Sequence, residues 1–174
     1  GPDGEDLRLT PDGETSELLH VRRPNERCVF SGIKSRPVPS LLRGFSAPVK
    51  LATDDADEDL AFLLAHDSDP FNRWEAGLTL AVRVLLRLVE DVQHGRALTA
   101  PQALLDAVAK LLADSADDPA FAAQAVILPG EGYLANQMAV VDPDAIHTPG
   151  IYVDRIVQVT VRSRWTPPPS GGGR

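Results

Sequence analysis

Hydrophobic residues recur at every third or fourth position through the middle of the chain, the spacing that places them on one face of an α-helix. The longest such stripe follows Asp69-Pro70, a pair that predicts a helix N-terminus, and it stops at His94-Gly95, where glycine favours a helix end. The stripe consists of Phe71, Trp74, Leu78, Ala81, Val82, Leu85, Val89 and Val92.

Further helices are predicted on both sides of this one. The acidic residues of 54–59 favour the start of a short helix that carries Leu60 to Leu64. Thr99 and Asp118 are expected to cap two more helices, 130–141 predicts another short one, and Asp142-Pro143 marks a last helix start. The middle of the chain is therefore expected to be a set of antiparallel helices joined by short loops.

The two ends show a different pattern. Residues 28–30 and 44–51 favour β-strands, and the prolines in 36–40 require an extended backbone. These strands are too few to close a β-sandwich, which normally needs about seven. Near the C-terminus, β-branched residues in 151–153 and 156–161 again predict strands, and the Pro/Gly-rich stretch 167–174 is expected to be disordered.

Charge divides the chain in the same places. Within a net charge of −8, residues 1–50 sum to +1, residues 51–147 to −12 and residues 148–174 to +3. The acidic middle argues against nucleic acid or an anionic membrane as a partner. Because the sequence shows no membrane-length apolar run and no signal-peptide pattern at its start, we expect a cytoplasmic location.

No combination of residues has the spacing of a metal or catalytic site. The four histidines, His20, His66, His94 and His147, are far apart, and no HExxH pair occurs that would bind zinc on one helix. A site assembled from distant ligands is a remote alternative. His94 is better explained by the favourable position of a histidine at a helix C-terminus.

The other candidate groups also have structural explanations. Cys28 is a possible nucleophile, but a small buried apolar residue is the favoured interpretation. Ser46 lacks the glycine pattern of a nucleophile elbow, and no lysine follows Gly130-Glu131-Gly132 as a phosphate loop would require. Asp67 and Asp69 could bind a cation, although helix capping is the simpler role, and Trp74 is expected to be a core anchor.

Two long stretches carry a family resemblance. The segments RPVPSLLRGFSAPVKL (36–51) and DEDLAFLLAHDSDPFNRWEAGLTLA (57–81) resemble the bacterial aminopeptidase N family of zinc metallopeptidases, and so does LPGEGYLANQMAVVDPDAIH (128–147). They are similar to the junction between that family's small β-sandwich and its large C-terminal helical domain. The resemblance implies an α+β chain, in which a partial Ig-like β-sandwich precedes an antiparallel, solenoid-like helical domain.

The resemblance also implies that the catalytic residues lie outside this chain. In the family, the zinc ligands and the catalytic glutamate lie in an earlier, thermolysin-like domain, so no catalytic or metal residue transfers to this chain, and no cofactor is expected in it. We expect a partial sandwich over 1–53, beginning inside that domain, the start of the helical domain over 54–147, and a divergent strand-like segment with a disordered tail over 148–174.

The tail resembles a different family. The stretch HTPGIYVDRIVQ (147–158) is similar to a subunit of the 3-oxoacid CoA-transferases, which predicts a discontinuity near residue 148. The leading hypothesis is a non-catalytic supporting part of a zinc aminopeptidase, which would meet peptide substrates only through the parent hydrolase. The alternatives are a helical protein-interaction module and a CoA-transferase remnant. An incomplete sheet and wide apolar stripes also predict self-association through exposed apolar surface.

Overall fold

A computed structural model describes residues 1–114 and 118–164. The chain divides into two compact units, of which the first spans Gly1–Pro39 and the second begins at Ser40. The described residues of the second unit form six α-helices: α1 (Asp57–His66), α2 (Pro70–Gln93), α3 (Gln102–Ala113), α4 (Pro119–Ala125), α5 (Glu131–Ala135) and α6 (Pro143–Arg164).

Four of these helices enclose the core. Helix α2 packs against α1 and α6, and α3 packs against the same two helices, so the order around the core is α1–α2–α6–α3. The core is aliphatic, as the low aromatic content requires, and Leu64, Leu80, Leu85, Leu111 and Val153 are each at most 1% exposed. The short helices α4 and α5 lie against α2, and α5 also contacts α6.

Capping residues determine where several helices begin. Asp69 Oδ1 accepts the backbone N–H groups of Phe71 and Asn72 at 3.0 Å each, so the predicted start of α2 is confirmed. Asp118 caps α4 in the same way, through the N–H of Phe121. Helix α2 ends as predicted before Gly95, which has a φ of +65°.

Other predicted boundaries differ from the structure. Helix α1 begins at Asp57, within the acidic stretch 54–59 that predicted its start. Helix α3 begins after Pro101, so the expected cap at Thr99 is wrong. The helix predicted for 130–141 is limited to α5, Glu131–Ala135. In the predicted α2 stripe, Ala81, Leu85 and Val89 are buried and Phe71 is exposed. The buried face of α2 also includes Leu80, Val84 and Leu88, which the predicted stripe left out.

The strands predicted near the C-terminus are wrong. Residues 151–153 and 156–161 belong to α6, which continues through residue 148 without the expected change of structure. Ile146, Pro149, Val153 and Val157 follow one another at steps of three and four and are all buried, so helical packing outweighs the β-propensity of branched residues. The tail predicted to be disordered, 167–174, lies outside the described residues.

The predicted N-terminal strands are likewise not observed. No β-strand occurs within 1–114 or 118–164, so neither 28–30 nor 44–51 forms one there. In the first unit, Val21 and Val29 are 73% and 75% exposed, and Cys28 is exposed rather than buried, contrary to the favoured interpretation of this residue. At the start of the segment 44–51, Arg43–Phe45 forms a 3₁₀ turn.

Candidate functional site

A polar network in the helical unit joins residues 40–45 to the loop between α1 and α2. We call this network, formed by 40–45 and 67–72, the junction clasp. Arg43 Nη1 donates to Asp67 Oδ1 at 3.0 Å and to Ser40 Oγ at 3.2 Å, and Nη2 donates to Ser68 Oγ at 2.9 Å. Because the Asp67 side chain is only 1% exposed, this ion pair is far better shielded than an ordinary surface pair.

Two further residues close the clasp from the side of α2. Asn72 Nδ2 donates to Ser40 Oγ at 2.9 Å and to the Leu41 carbonyl at 2.7 Å. Asp69 Oδ2 accepts the Gly44 N–H at 3.1 Å, while its other oxygen caps α2. Asp69 therefore couples the start of α2 to the segment that precedes the helices.

The clasp holds an unusual backbone. Leu42, Gly44 and Phe45 have φ values of +55°, +60° and +56°, in the left-handed region. This region costs a residue with a side chain about 1–2 kcal/mol. The Phe45 ring is nevertheless placed 4.4 Å, centroid to centroid, from Phe71, which in turn lies 5.8 Å from Trp74. Trp74 thus joins an aromatic cluster at the start of α2, and it is half-buried.

Charge inside the clasp is stabilised locally. Burial by itself would raise the pKa of Asp69, but the N–H groups of Asn72, Gly44 and Phe71, together with Arg43, lower that pKa below its ordinary value. Arg73, one residue beyond the clasp, donates to the carbonyls of Leu64 and Ala65 at 2.7 and 2.8 Å. Those carbonyls belong to the last turn of α1 and have no partner within the helix.

The predicted chemical groups do not converge on a metal site. The described residues contain no group of three or more His, Cys, Asp or Glu side chains that could hold an ion. Asp67 Oδ1 accepts from Arg43 and from the Asp69 N–H, and the Asp69 oxygens accept backbone N–H groups, so both side chains have the structural role that the sequence favoured over a cation. These residues therefore do not fit the zinc that the family resemblance implies for the parent enzyme.

The histidines lie in separate surroundings. His66 stacks on Phe62 at 4.7 Å, and its burial, with a contribution from Lys110, lowers its pKa. His94 is the C-cap of α2, as the sequence indicated, and His147 Nδ1 lies 2.7 Å from Glu131 Oε1. His20 is exposed in the first unit.

A second feature is an open groove beside α6. It encloses about 620 Å³ between α6 and residues 126–131, with Leu85 and Val157 from the core at its lining. Glu131 and its flanking glycine Gly130 therefore line an apolar groove instead of a phosphate loop.

No helix among the described residues is long and apolar enough to cross a membrane.

Sequence reasoning missed the clasp because its partners are distant in the chain. Arg43 and Asp67 are separated by 24 positions, and nothing in a single sequence indicates that they pair. A glycine at position 44 between bulky neighbours could have indicated a tight turn. The hydrophobic pattern of 44–51 was instead interpreted as a strand.

Comparison with known proteins first defines the class. Residues 57–167 match a family model described as a domain of unknown function (DUF3458_C) with ARM repeats, and residues 1–54 match DUF3458, a domain of unknown function with an Ig-like fold. The chain therefore belongs to the DUF3458_C family of helical-repeat domains. The family model continues through residue 148, as α6 does.

The relatives then point to one kind of protein. The chain is 34% identical over 145 residues to aminopeptidase N of Escherichia coli K12, covering 83% of this chain and 17% of that protein. It is 42% identical over 147 residues to aminopeptidase N of Caulobacter vibrioides, covering 80% and 16%. The Haemophilus influenzae aminopeptidase N is 36% identical over 144 residues, covering 82% and 17%. The expected resemblance to bacterial aminopeptidase N is confirmed.

A solved structure supports the fold. A crystal structure of Legionella pneumophila aminopeptidase A in complex with aspartic acid matches with a TM-score of 0.61 at 24% identity. The match covers 78% of this chain and 15% of that one. The chain thus spans about a sixth of the length of the curated relatives it matches.

Proposed function

We propose that this chain is a non-catalytic supporting part of an aminopeptidase N, an enzyme that removes N-terminal amino acids from peptides. The observation that carries the proposal is the match of 144–147 residues, about four fifths of the chain, to three aminopeptidases N. In this proposal the zinc and the peptide substrate are bound by other parts of the parent enzyme, which acts in the cytoplasm.

The clasp gives the supporting role a physical basis. It fixes the direction in which the chain enters the helices, because Arg43 and Asn72 hold residues 40–44 against the α1–α2 loop. A direct helix start at residue 57 without such a clasp would leave the preceding backbone free to rotate. We propose that the clasp lets the helical domain hold a constant position in the parent enzyme.

The N-terminal segment has a related role in the proposal. Its match to an Ig-like domain model favours a sandwich in the parent enzyme, in which residues 1–53 contribute some of the strands. Strands at the edge of a sheet need partner strands for their backbone hydrogen bonds and their apolar face. The exposed Val21 and Val29 are suitable residues for such a face.

Exchange into a working relative tests this function. Residues 1–147 would replace the matching stretch of the E. coli aminopeptidase N, and hydrolysis of an aminoacyl p-nitroanilide would be measured with saturating zinc. We expect the exchanged enzyme to keep kcat/KM within about tenfold of the parent, because the replaced stretch makes no chemical contribution. The isolated chain should show no hydrolysis with or without zinc.

A clasp variant provides the matched comparison. In the isolated chain, Arg43→Met should lower the Tm, whereas Arg155→Met, which removes an exposed arginine without touching the clasp, should leave the Tm unchanged. Folded, zinc-loaded exchanged protein that lacks activity would argue against the supporting role. Turnover by the isolated chain would disprove the non-catalytic assignment.

A further inference from the structure

Three exposed apolar side chains lie beside the junction clasp. The Phe45 ring is 70% exposed, Phe71 is 39% exposed and Leu41 is 38% exposed. Phe45 contacts the Phe71 ring, and Asn72 donates to the Leu41 carbonyl, so all three residues lie at the first turn of α2. We call Leu41, Phe45 and Phe71 the clasp patch. Covering such a patch with a second apolar surface is favourable, because it removes apolar area from water.

The backbone of Phe45 gives a second reason to expect a covering surface. Its φ of +56° lies in the left-handed region, which is unfavourable for a residue with a side chain. Such a conformation persists where surrounding contacts compensate its cost, and it occurs often at functional sites. A ring that is 70% exposed recovers little of this cost, whereas a ring buried against a partner recovers more.

The charges beside the patch favour an apolar partner. Arg43 forms an ion pair with Asp67 at 3.0 Å, and Asp69 accepts backbone N–H groups at the start of α2. These groups are therefore directed at the clasp itself. Glu75 follows Phe71 by one turn of α2 and is exposed, so it borders the patch as a charge that stays in contact with water at the rim of an interface.

The domain matches indicate which surface covers the patch. Residues 1–54 match the Ig-like domain model and residues 57–167 match the ARM-repeat model. Leu41 and Phe45 therefore fall in the Ig-like match, whereas Phe71 falls in the helical match. The clasp already joins these two segments by hydrogen bonds, and the patch continues that contact with apolar side chains.

We propose that the clasp patch is the surface on which the Ig-like domain of the parent enzyme packs, with Phe45 and Phe71 buried between the two domains. The inference rests on the proposed function, because the parent enzyme supplies the complete sandwich. An apolar face of that sandwich covers the patch and leaves Glu75 at the rim. Burial of the ring then compensates the left-handed conformation of Phe45.

Cysteine labelling tests the proposal. Phe45→Cys and Leu41→Cys, each combined with Cys28→Ser, are made in the isolated chain and in the E. coli enzyme that carries residues 1–147. The rate at which N-ethylmaleimide modifies each introduced thiol is followed by mass spectrometry of the peptide that contains it. We expect both thiols to react about tenfold more slowly, or slower still, in the exchanged enzyme, because a covered thiol is inaccessible to the reagent.

The labelling outcomes separate this inference from the proposed function. Labelling in denaturing urea gives the rate for an uncovered thiol, and circular dichroism shows that each variant is folded. Slow labelling in a folded exchanged protein that lacks hydrolysis would support the covered patch and refute only the proposed function. Equal rates in the isolated chain and in an active exchanged enzyme would overturn the inference and leave the proposed function standing.

A pair of substitutions at Phe45 tests the backbone argument. Asparagine adopts the left-handed region more readily than leucine, so Phe45→Asn in the isolated chain should have a Tm at least as high as Phe45→Leu. In the exchanged enzyme Phe45→Leu should have the higher Tm, because a buried amide without a partner is unfavourable. The same order of Tm values in both proteins would contradict the burial of Phe45.

Discussion

Helices α1 and α2 approach each other closely where Gly77 faces Leu64, and this contact gives a specific prediction for Gly77→Ala. A Cβ placed at Gly77 would lie 2.9 Å from Leu64 Cδ1 and 3.4 Å from Cδ2, inside ordinary contact distance. Leu64 is 1% exposed and therefore has little room to move. Overpacking of this kind costs about 1–3 kcal/mol, whereas replacing glycine by alanine within a helix gains about 1 kcal/mol. Gly77→Ala should therefore lower the free energy of unfolding by about 1 kcal/mol.

Gly77→Ala is expected to have the opposite effect on stability when Leu64 is replaced by alanine. Leu64→Ala alone should cost about 2–5 kcal/mol, because it leaves a cavity in the core. In that background the methyl group at position 77 occupies part of the cavity and the helix still gains its propensity. Adding Gly77→Ala to Leu64→Ala should then raise the free energy of unfolding by about 1 kcal/mol, which gives a coupling of about 2 kcal/mol.

Urea unfolding followed by far-UV circular dichroism measures all four members of this cycle. The matched control is Gly150→Ala, a helical glycine in α6 whose added Cβ meets nothing within 4 Å. That change should be additive with Leu64→Ala. If Gly77→Ala and Leu64→Ala are also additive within about 0.5 kcal/mol, the close packing of α1 on α2 is refuted.

Three further predictions concern the clasp and metal binding. Arg43→Met should lower the free energy of unfolding by about 1–3 kcal/mol, because it leaves the buried Asp67 carboxylate without its cation. Arg155→Met should change that free energy by less than about 0.5 kcal/mol, and urea unfolding compares the two variants. Asp69 has a lowered pKa, so it stabilises the fold above the ordinary carboxyl value of 3.8, and this contribution is lost as the pH falls through the lowered value. The stability difference between wild type and Asp69→Asn should thus shrink in acid, and a constant difference would contradict this assignment. EDTA should leave the Tm unchanged, since the described residues offer no group of metal ligands; a zinc-dependent rise in Tm would show otherwise.

Local signals predicted part of the fold well. Asp69-Pro70, Asp118-Pro119 and Asp142-Pro143 each precede a helix, and each aspartate accepts a backbone N–H of the first turn. A cap involves residues two or three positions apart, so it can be recognised from the sequence alone. The junction clasp was missed for the complementary reason that convergence of distant side chains has no local pattern.

Tertiary packing decided the rest. The β-branched residues of α6 favour a strand by propensity, yet α6 is a helix because its buried positions pack against α2 and α3. At the other end, Phe45 occupies a left-handed conformation that its own preference opposes, because the clasp holds Gly44 and Arg43 on the α1–α2 loop. In both cases the deciding contacts are with residues more than 20 positions away.

The central claim is that this chain supports a catalytic domain encoded by the same gene. Long-read sequencing of the source locus, from well upstream of codon 1 to beyond codon 174, tests it most directly. The account predicts an open reading frame that extends upstream and contains an in-frame HExxH, the pattern by which a zinc peptidase binds its metal. A frame closed by a stop codon immediately upstream, with no HExxH, would contradict the account and favour a helical interaction module.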